Sequence, residues 1–226
     1  MTMSSLRAGA ASLLVFMAVA GCAAATRGAA SGAVQPVGPA STVLTPAEQA
    51  RADGGRPPYT SADVRFMQGM IRHHAQAIVM AALAQTRAAR NDVKVLAGRI
   101  DVAQRDEIAT MERWLRDRRE TVPGADAGHH AAGPQGHAPD DLMPGMLTPD
   151  QLTQLGQATG PEFDRLFLTF MIQHHEGALT MVTELFASPG AGQDPTIFRF
   201  ASDVEADQTT EIDRMHAMLA TQRNQP

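Results

Sequence analysis

The sequence predicts an all-α fold, a four-helix bundle made from one helical hairpin used twice, and three observations predict it. Aromatic residues are only 4% of the 226-residue chain while alanine, leucine and methionine abound, a composition that favours helices over the β-branched and aromatic mixture of a sheet. Four long stretches carry apolar residues near the helical period. The third observation is an internal repeat: Asp63, Phe66, Met70, His73, His74, Ala77 and Met80 recur in register as Asp164, Phe167, Met171, His174, His175, Ala178 and Met181. Downstream of each set, Ala97, Gln104, Glu107, Ile108, Met111 and Leu115 recur as Ala201, Gln208, Glu211, Ile212, Met215 and Leu219, at a slightly larger displacement, so the second hairpin has the longer turn. One hairpin cannot bury its apolar faces alone, whereas two pack into a bundle whose cofactor sites lie between facing helices. The His pairs are then expected to meet across a pseudo-two-fold axis.

Element by element, the chain opens with Arg7 and an apolar run from Ala8 to Ala20, too short for a membrane span and right for an export signal. The run ends in Val19-Ala20-Gly21-Cys22, which resembles a bacterial lipobox, so 1–21 reads as a lipoprotein signal peptide and Cys22 as the acylated residue. Residues 22–59 are rich in Ala, Gly, Pro, Ser and Thr without periodicity, the composition of a disordered tether, with room for a short helix from Pro46 to Arg51. Thr60 and Asp63 form a capping-box pattern that starts the first long helix, running to about Ala89. Asn91 or Asp92 is the expected cap of the second, which Pro123 stops. Thr148-Pro149 opens a short helix, Gly160-Pro161 a long one to about Ala187, and Asp194-Pro195 the last, to about Gln222. The bundle thus spans 60–222: repeat one 60–120, a His- and Met-containing linker 121–147, and repeat two 148–222.

Cys22 is the only cysteine, so the mature domain has no disulfide, thiolate site or cysteine nucleophile. A net charge of −5 argues against nucleic acid, whose binding rests on clustered Lys and Arg. Arg113, Arg116, Arg118 and Arg119 do cluster, but at a helix C-terminus, where cations suit the helix dipole and read as a solvated end.

Met70 stands one turn before His73 and His74, and Met171 one turn before His174 and His175, so each set shares a helix surface. Met67, Met80, Met111, Met181 and Met215 extend the thioether stripe as secondary candidates. Taken singly, Met80, Met111, Met181 and Met218 read as core filler, and a lone His-His pair as a surface feature. Two His pairs at equivalent repeat positions read as metal ligands. Thioethers select Cu(I) and imidazole suits copper, zinc, iron and nickel, so a Met-His set without cysteine points first to copper. Iron, manganese and zinc remain alternatives. Glu107 and Glu211 read as surface residues, as acceptors that orient a ligating imidazole through its other nitrogen, or as direct ligands. No nucleophile elbow, phosphate-cradling glycine loop or His-Glu-x-x-His helix occurs, so nothing calls for an enzyme.

The segments FMQGMIRHHAQAIVMA and FLTFMIQHHEGALTMV, the MPGML turn before the second copy, and the Gln-x-x-Glu-Ile-x-x-Met pattern after each resemble the CopM-like family, the uncharacterised-domain family numbered three hundred and five. The resemblance covers about residues 60–222. It implies a ferritin-like helical bundle, secreted or periplasmic, that binds copper in resistance or trafficking, with Met70, His73, His74, Met171, His174 and His175 as matching ligands. The chain departs from the most Met-rich members: its linker holds only Met143 and Met146, and its C-terminus has no Met-rich tail. High-capacity loading is therefore not implied, and His216, without a counterpart at Glu112, reads as a surface histidine.

Three readings follow. One is an extracytoplasmic lipoprotein, anchored to the membrane through Cys22, that binds Cu(I) for sequestration or exchange with a donor or acceptor protein. Another is a ferritin-like dinuclear iron or manganese enzyme using His73, His174, Glu107 and Glu211. The last is a metal-free structural lipoprotein.

Overall fold

A computed structural model describes residues 54–124 and 142–223; the signal peptide, Cys22, the Pro46–Arg51 helix, and His129, His130 and His137 lie outside the described residues. The described chain is helical, in the order α1 (Ser61–Arg87), α2 (Asn91–Asp117), α3 (Pro149–Gln157), α4 (Gly160–Ala187) and α5 (Pro195–Arg223). Helix α1, at 27 residues, extends about 40 Å at ~1.5 Å per residue. α1 packs on α2 and α4 on α5, and the two hairpins meet chiefly through α1 and α4. The chain leaves α2 at one end of the bundle and enters α4 at the other, so the connection between the hairpins is a crossover that joins opposite ends. Among the described residues no helix is long and apolar enough to cross a membrane.

The repeated aspartates explain how the hairpins are locked. Asp63 Oδ2 accepts the Thr60 backbone N–H at 2.7 Å, completing the expected capping box. Its Oδ1 accepts the N–H of Gly192 at 2.7 Å, in the turn of the other hairpin. The equivalent Asp164 accepts the N–H groups of Ala89 (3.1 Å) and Arg90 (3.0 Å), in the turn of the first. Each buried carboxylate therefore holds the partner hairpin's turn, which sets α1 and α4 antiparallel, and Asp63 also caps its own helix. Helix entrances leave backbone N–H groups without intrahelical partners, and here the opposite repeat supplies the acceptor.

That arrangement corrects two expectations. Neither Asn91 nor Asp92 caps α2: the N-cap is Arg90, without a side-chain cap, because Asp164 already serves that turn. Asp92 instead takes the Arg90 guanidinium, which holds its carboxyl below the usual range. Helix α2 also ends at Asp117, well before Pro123. Arg119 lies in the left-handed region at φ 58°, with Arg119 N–H bonded to Arg116 O (3.0 Å) and Glu120 N–H to Leu115 O (2.9 Å). This is the Schellman pattern, and with arginine in the place usually taken by glycine it carries no stop signal that sequence shows.

Arg118 is not part of a solvated end. Its side chain is buried, forms an ion pair with buried Asp194, and lies over the Trp114 ring at 4.2 Å. Asp194 also accepts from Thr196 N–H (2.8 Å), so one ion pair joins the end of α2 to the start of α5. Tyr59, at the edge of the expected tether, packs edge-on against Trp114 with ring centroids 5.3 Å apart and donates to Glu120 (2.9 Å).

Replacing Asp164 by Ala is expected to lower stability by about 1–3 kcal/mol, since it leaves two inward N–H groups unpaired. Asp63→Ala is expected to cost a similar amount, and urea unfolding of both variants measures it.

Candidate metal centre

Two apolar clusters fill the bundle, one toward each end. The first gathers Met80, Met171 and Met215 with Val93, Leu96, Ile100, Phe163 and Phe167. The second gathers Met67, Met70, Met111 and Met181 with Phe66, Trp114, Leu115 and Ile197. Repeat symmetry relates Met70, Met111 and Met181 of one cluster to Met171, Met215 and Met80 of the other, so the expected continuous thioether stripe is split into two equivalent sets. Between the sets, every long helix contributes polar residues: His73, His74 and Gln76 from α1, Gln104 and Glu107 from α2, His174 and His175 from α4, and Gln208 and Glu211 from α5. All four imidazoles are fully buried.

Adjacent histidines turn to different neighbours because successive positions on a helix are about 100° apart. His73 and His174 meet across the α1–α4 contact with ring centroids 3.8 Å apart, as the pseudo-two-fold predicts. His74 and His175 turn to their own hairpin partners, with Nε2 2.6 Å from Glu107 and Glu211 respectively. His174 Nε2 donates to the backbone oxygen of His73 at 3.0 Å. His73 Nε2 donates to the backbone oxygen of Pro144, also at 3.0 Å.

These contacts decide the tautomers. A carbonyl or ionised carboxylate only accepts, so the Nε2 of His73, His174 and His175 carries hydrogen, and in a neutral ring the lone pair then sits on Nδ1. All four Nδ1 atoms are buried without a hydrogen-bond partner, as are Oε1 of Gln104 and Gln208 and Nε2 of His74, which stands 2.6 Å from Glu107 without a bonding geometry. Each such orphan costs about 1–3 kcal/mol. Burial and the neighbouring His74 push His73 down to about 3, and burial and His73 hold His174 well below the ordinary histidine range, so both rings are neutral at physiological pH. The buried midsection therefore presents unpaired lone pairs, which suits a cation.

Glu211 thus accepts from His175, and Glu107 stands against His74. The dinuclear arrangement of His73, His174, Glu107 and Glu211 does not form, because each glutamate is directed at the other histidine of its pair. Among the described residues no group of three His, Cys, Asp or Glu side chains converges on a metal-sized point; imidazoles alone do not make a closed site, and thioethers are the remaining donors. On the outer side, Glu107 borders a cleft of about 350 Å³ with Asp106, Asp203 and Asp207. Burial and the nearby Glu107, Glu211 and Asp203 push the Asp207 carboxyl up. His216 is exposed, as expected.

The crossover contributes residues that the repeat alone does not reveal. Met143 to Leu147 lies across α1 and α4 beside the histidines. Gln76 exchanges two hydrogen bonds with the Leu147 backbone, at 2.7 and 3.1 Å, and Gln173 donates to Gly145 O (3.3 Å). On α4 the position equivalent to Gln76 is Gly177, and a Cβ there would stand 2.0 Å from Pro144 O. Gly145, at φ +73°, makes the other half of this approach. The signal available in sequence was the break in the repeat: Gln in one copy, Gly in the other.

The family described as Domain of unknown function (DUF305) matches residues 63–219. The chain belongs to the DUF305 family. Similar solved structures include a DUF305 fragment from Deinococcus radiodurans, 29% identical, with TM-score 0.60 over 73% of this chain and 99% of that one. A DUF305 protein from Streptomyces coelicolor, described as secreted, is 25% identical with TM-score 0.60, covering 72% and 94%. CopM in its Cu(II)-bound form is 28% identical with TM-score 0.56 over 70% and 96%, and in its Cu(I)-bound form 26% identical with TM-score 0.54 over 73% and 98%. No curated protein matches the sequence. This DUF305 bundle is thus CopM-like in fold, with both repeats inside the matched region.

His73 binds a proton more weakly in the fold, at about 3, than at its ordinary 6.5, so the unfolded chain takes up protons first as pH falls. The metal-free bundle is therefore expected to be stable above about pH 6.5 and to lose stability from there toward about 3. Unfolding midpoints across that window measure the slope, which flattens in His73→Leu. Gly177→Ala forces the crossover away from α4 and is expected to cost about 1–3 kcal/mol in urea unfolding.

Proposed function

We propose that this DUF305 bundle binds copper, as Cu(I), in its buried midsection, and serves in copper sequestration, resistance or trafficking outside the cytoplasm. The observation that carries the reading is the set of four buried imidazole Nδ1 atoms without partners, in rings whose Nε2 is committed to an oxygen acceptor in His73, His174 and His175 and lies against Glu107 in His74. Orienting an imidazole through its second nitrogen is how proteins prepare histidine for metal. Met70 and Met171, one turn before the pairs, are the soft donors of the set, with Met111, Met181, Met80 and Met215 buried in the flanking clusters. Thioether and neutral imidazole favour Cu(I) over hard cations, and Cu(I) accepts the low coordination numbers that such sparse donors permit. The copper-bound forms of CopM support the same choice of metal.

In this reading His73 and His174 supply nitrogen donors across the hairpin contact, and Glu107 and Glu211 hold the rings of His74 and His175. The reading of 1–21 as an export signal and of Cys22 as acylated supports a membrane-anchored lipoprotein outside the cytoplasm, which takes copper from a donor or passes it to an acceptor. Its role is to hold and transfer the ion, without turnover.

Anaerobic titration of the protein with Cu(I) against a competing chelator tests the reading. Tight binding is expected in the wild type and is lost when His73, His74, His174 and His175 are replaced by Ala. Glu107→Gln with Glu211→Gln is expected to weaken binding about 10–100-fold while keeping the donors. Absence of Cu(I) binding by the wild-type protein would refute the copper reading; full binding by the four-histidine variant would remove the site from the midsection.

A further inference from the structure

We propose that the cleft between α2 and α5 is the passage by which copper, as a positively charged and weakly coordinated Cu(I) ion, enters the histidine layer, with Asp106, Asp203 and Asp207 drawing it in and Glu107 standing at the inner end. The proposal rests on the copper reading of the midsection.

The layer has two sides. Across α1 and α4 it is covered by the crossover, where Pro144 O takes the His73 Nε2 hydrogen and Leu147 exchanges two hydrogen bonds with Gln76. The hairpins meet chiefly through α1 and α4, and between α2 and α5 a cleft of about 350 Å³ stands open instead. Asp106, Glu107 and Thr110 of α2 and Arg199, Asp203 and Asp207 of α5 supply its polar lining. Four carboxylates therefore share this cleft with a single arginine.

Carboxylates on exposed helix turns are ordinarily a solvated face, and it is His74 that points to a cation here. Its ring is fully buried, and neither of its nitrogens has a hydrogen-bond partner. Nε2 stands 2.6 Å from Glu107 Oε2, and Glu107 also lines the cleft. One side chain therefore separates the cleft from a buried imidazole whose two nitrogens are both unused. The equivalent His175 differs, since its Nε2 is hydrogen-bonded to Glu211 at 2.6 Å.

The repeat supplies its own comparison. Positions equivalent to Asp106, Asp203 and Asp207 hold Thr210, Arg99 and Ala103, and those equivalent to Thr110 and Arg199 hold Arg214 and Val95. The one added carboxylate, Asp92 in place of Thr196, is paired with Arg90. The set of positions around Glu107 is thus acidic and the set around Glu211 is not, and the acidic set is the one beside the uncommitted histidine. Burial, and then Glu107, Glu211 and Asp203, push the Asp207 carboxyl up, so negative charge is already crowded there and an entering cation relieves it. A cleft lined by one sign of charge concentrates ligands of the other and raises their rate of entry.

The experiment measures the rate of loading. The protein is mixed anaerobically with Cu(I) as its acetonitrile-solvated monocation, an excess of chromophoric chelator captures the unbound ion at set delays, and the colour gives the fraction already bound. The variant Asp106→Asn/Asp203→Asn/Asp207→Asn changes exposed positions outside the donor set and is expected to load about tenfold more slowly than wild type at low salt. The difference is expected to vanish at high salt, where the screening length drops from about 30 Å at 0.01 M to about 3 Å at 1 M. Asp150→Asn/Glu162→Gln/Glu184→Gln removes the same charge from exposed positions that do not line the cleft and is expected to load at the wild-type rate. An unchanged rate in the cleft variant, or equal slowing in the second variant, would overturn the passage. So would a loss of equilibrium affinity as large as the loss of rate, with release unchanged, because the carboxylates would then belong to the resting site. Wild-type protein that binds Cu(I) while the cleft variant loads normally ends the passage and leaves the copper reading standing; wild-type protein that binds no Cu(I) ends both.

Discussion

The burial of four imidazoles in the middle of a helical bundle is the constraint around which the rest of this structure is arranged. A buried ring must dispose of both nitrogens. Here the Nε2 of His73, His174 and His175 finds an oxygen, on Pro144, His73 and Glu211, that of His74 lies against Glu107, and no Nδ1 finds a partner. The bundle gives up hydrogen-bond energy at its centre and offsets it with two apolar clusters toward its ends. The unpaired nitrogens of this layer are what the proposal of a bound cation rests on.

Holding the layer together is a matter of connection between repeats. Asp63 and Asp164 each reach into the other hairpin's turn, so neither hairpin is complete without its partner and the His73–His174 contact is set by both. Arg118 with Asp194 and Arg90 with Met218 O extend the same cross-bracing to α2 and α5. The crossover then breaks the symmetry. It passes the histidine layer on one side only, where Pro144 takes the His73 hydrogen and Gly177 leaves room for its backbone. Two sites that began as copies are therefore unequal, His73 answering to the crossover and His174 to the backbone of its own counterpart.

Much of this was legible in the amino-acid order, and the misses have identifiable causes. The repeated Met-x-x-His-His motif placed the four histidines in one layer because a constant displacement forces equivalent helix positions. Arg118 was misread because a basic cluster at a helix end is normally solvated, and nothing local announces a carboxylate from Asp194. The early end of α2 escaped because arginine, not glycine, adopts the left-handed conformation at Arg119. Which histidine of each pair stands against Glu107 and Glu211 was open, since a repeat says which residues are equivalent and not which face each other.

By itself the sequence determined the helical class, the duplicated hairpin and the positions of the long helices, because periodicity, caps and repeats are local or translational properties of a chain. Only the tertiary structure decided which nitrogen of each imidazole is committed, which methionines gather on either side of the layer, and where the crossover touches it. Those depend on which surfaces of separate helices are pressed together, and side-chain direction across a contact is a property of packing that no one-dimensional spacing contains.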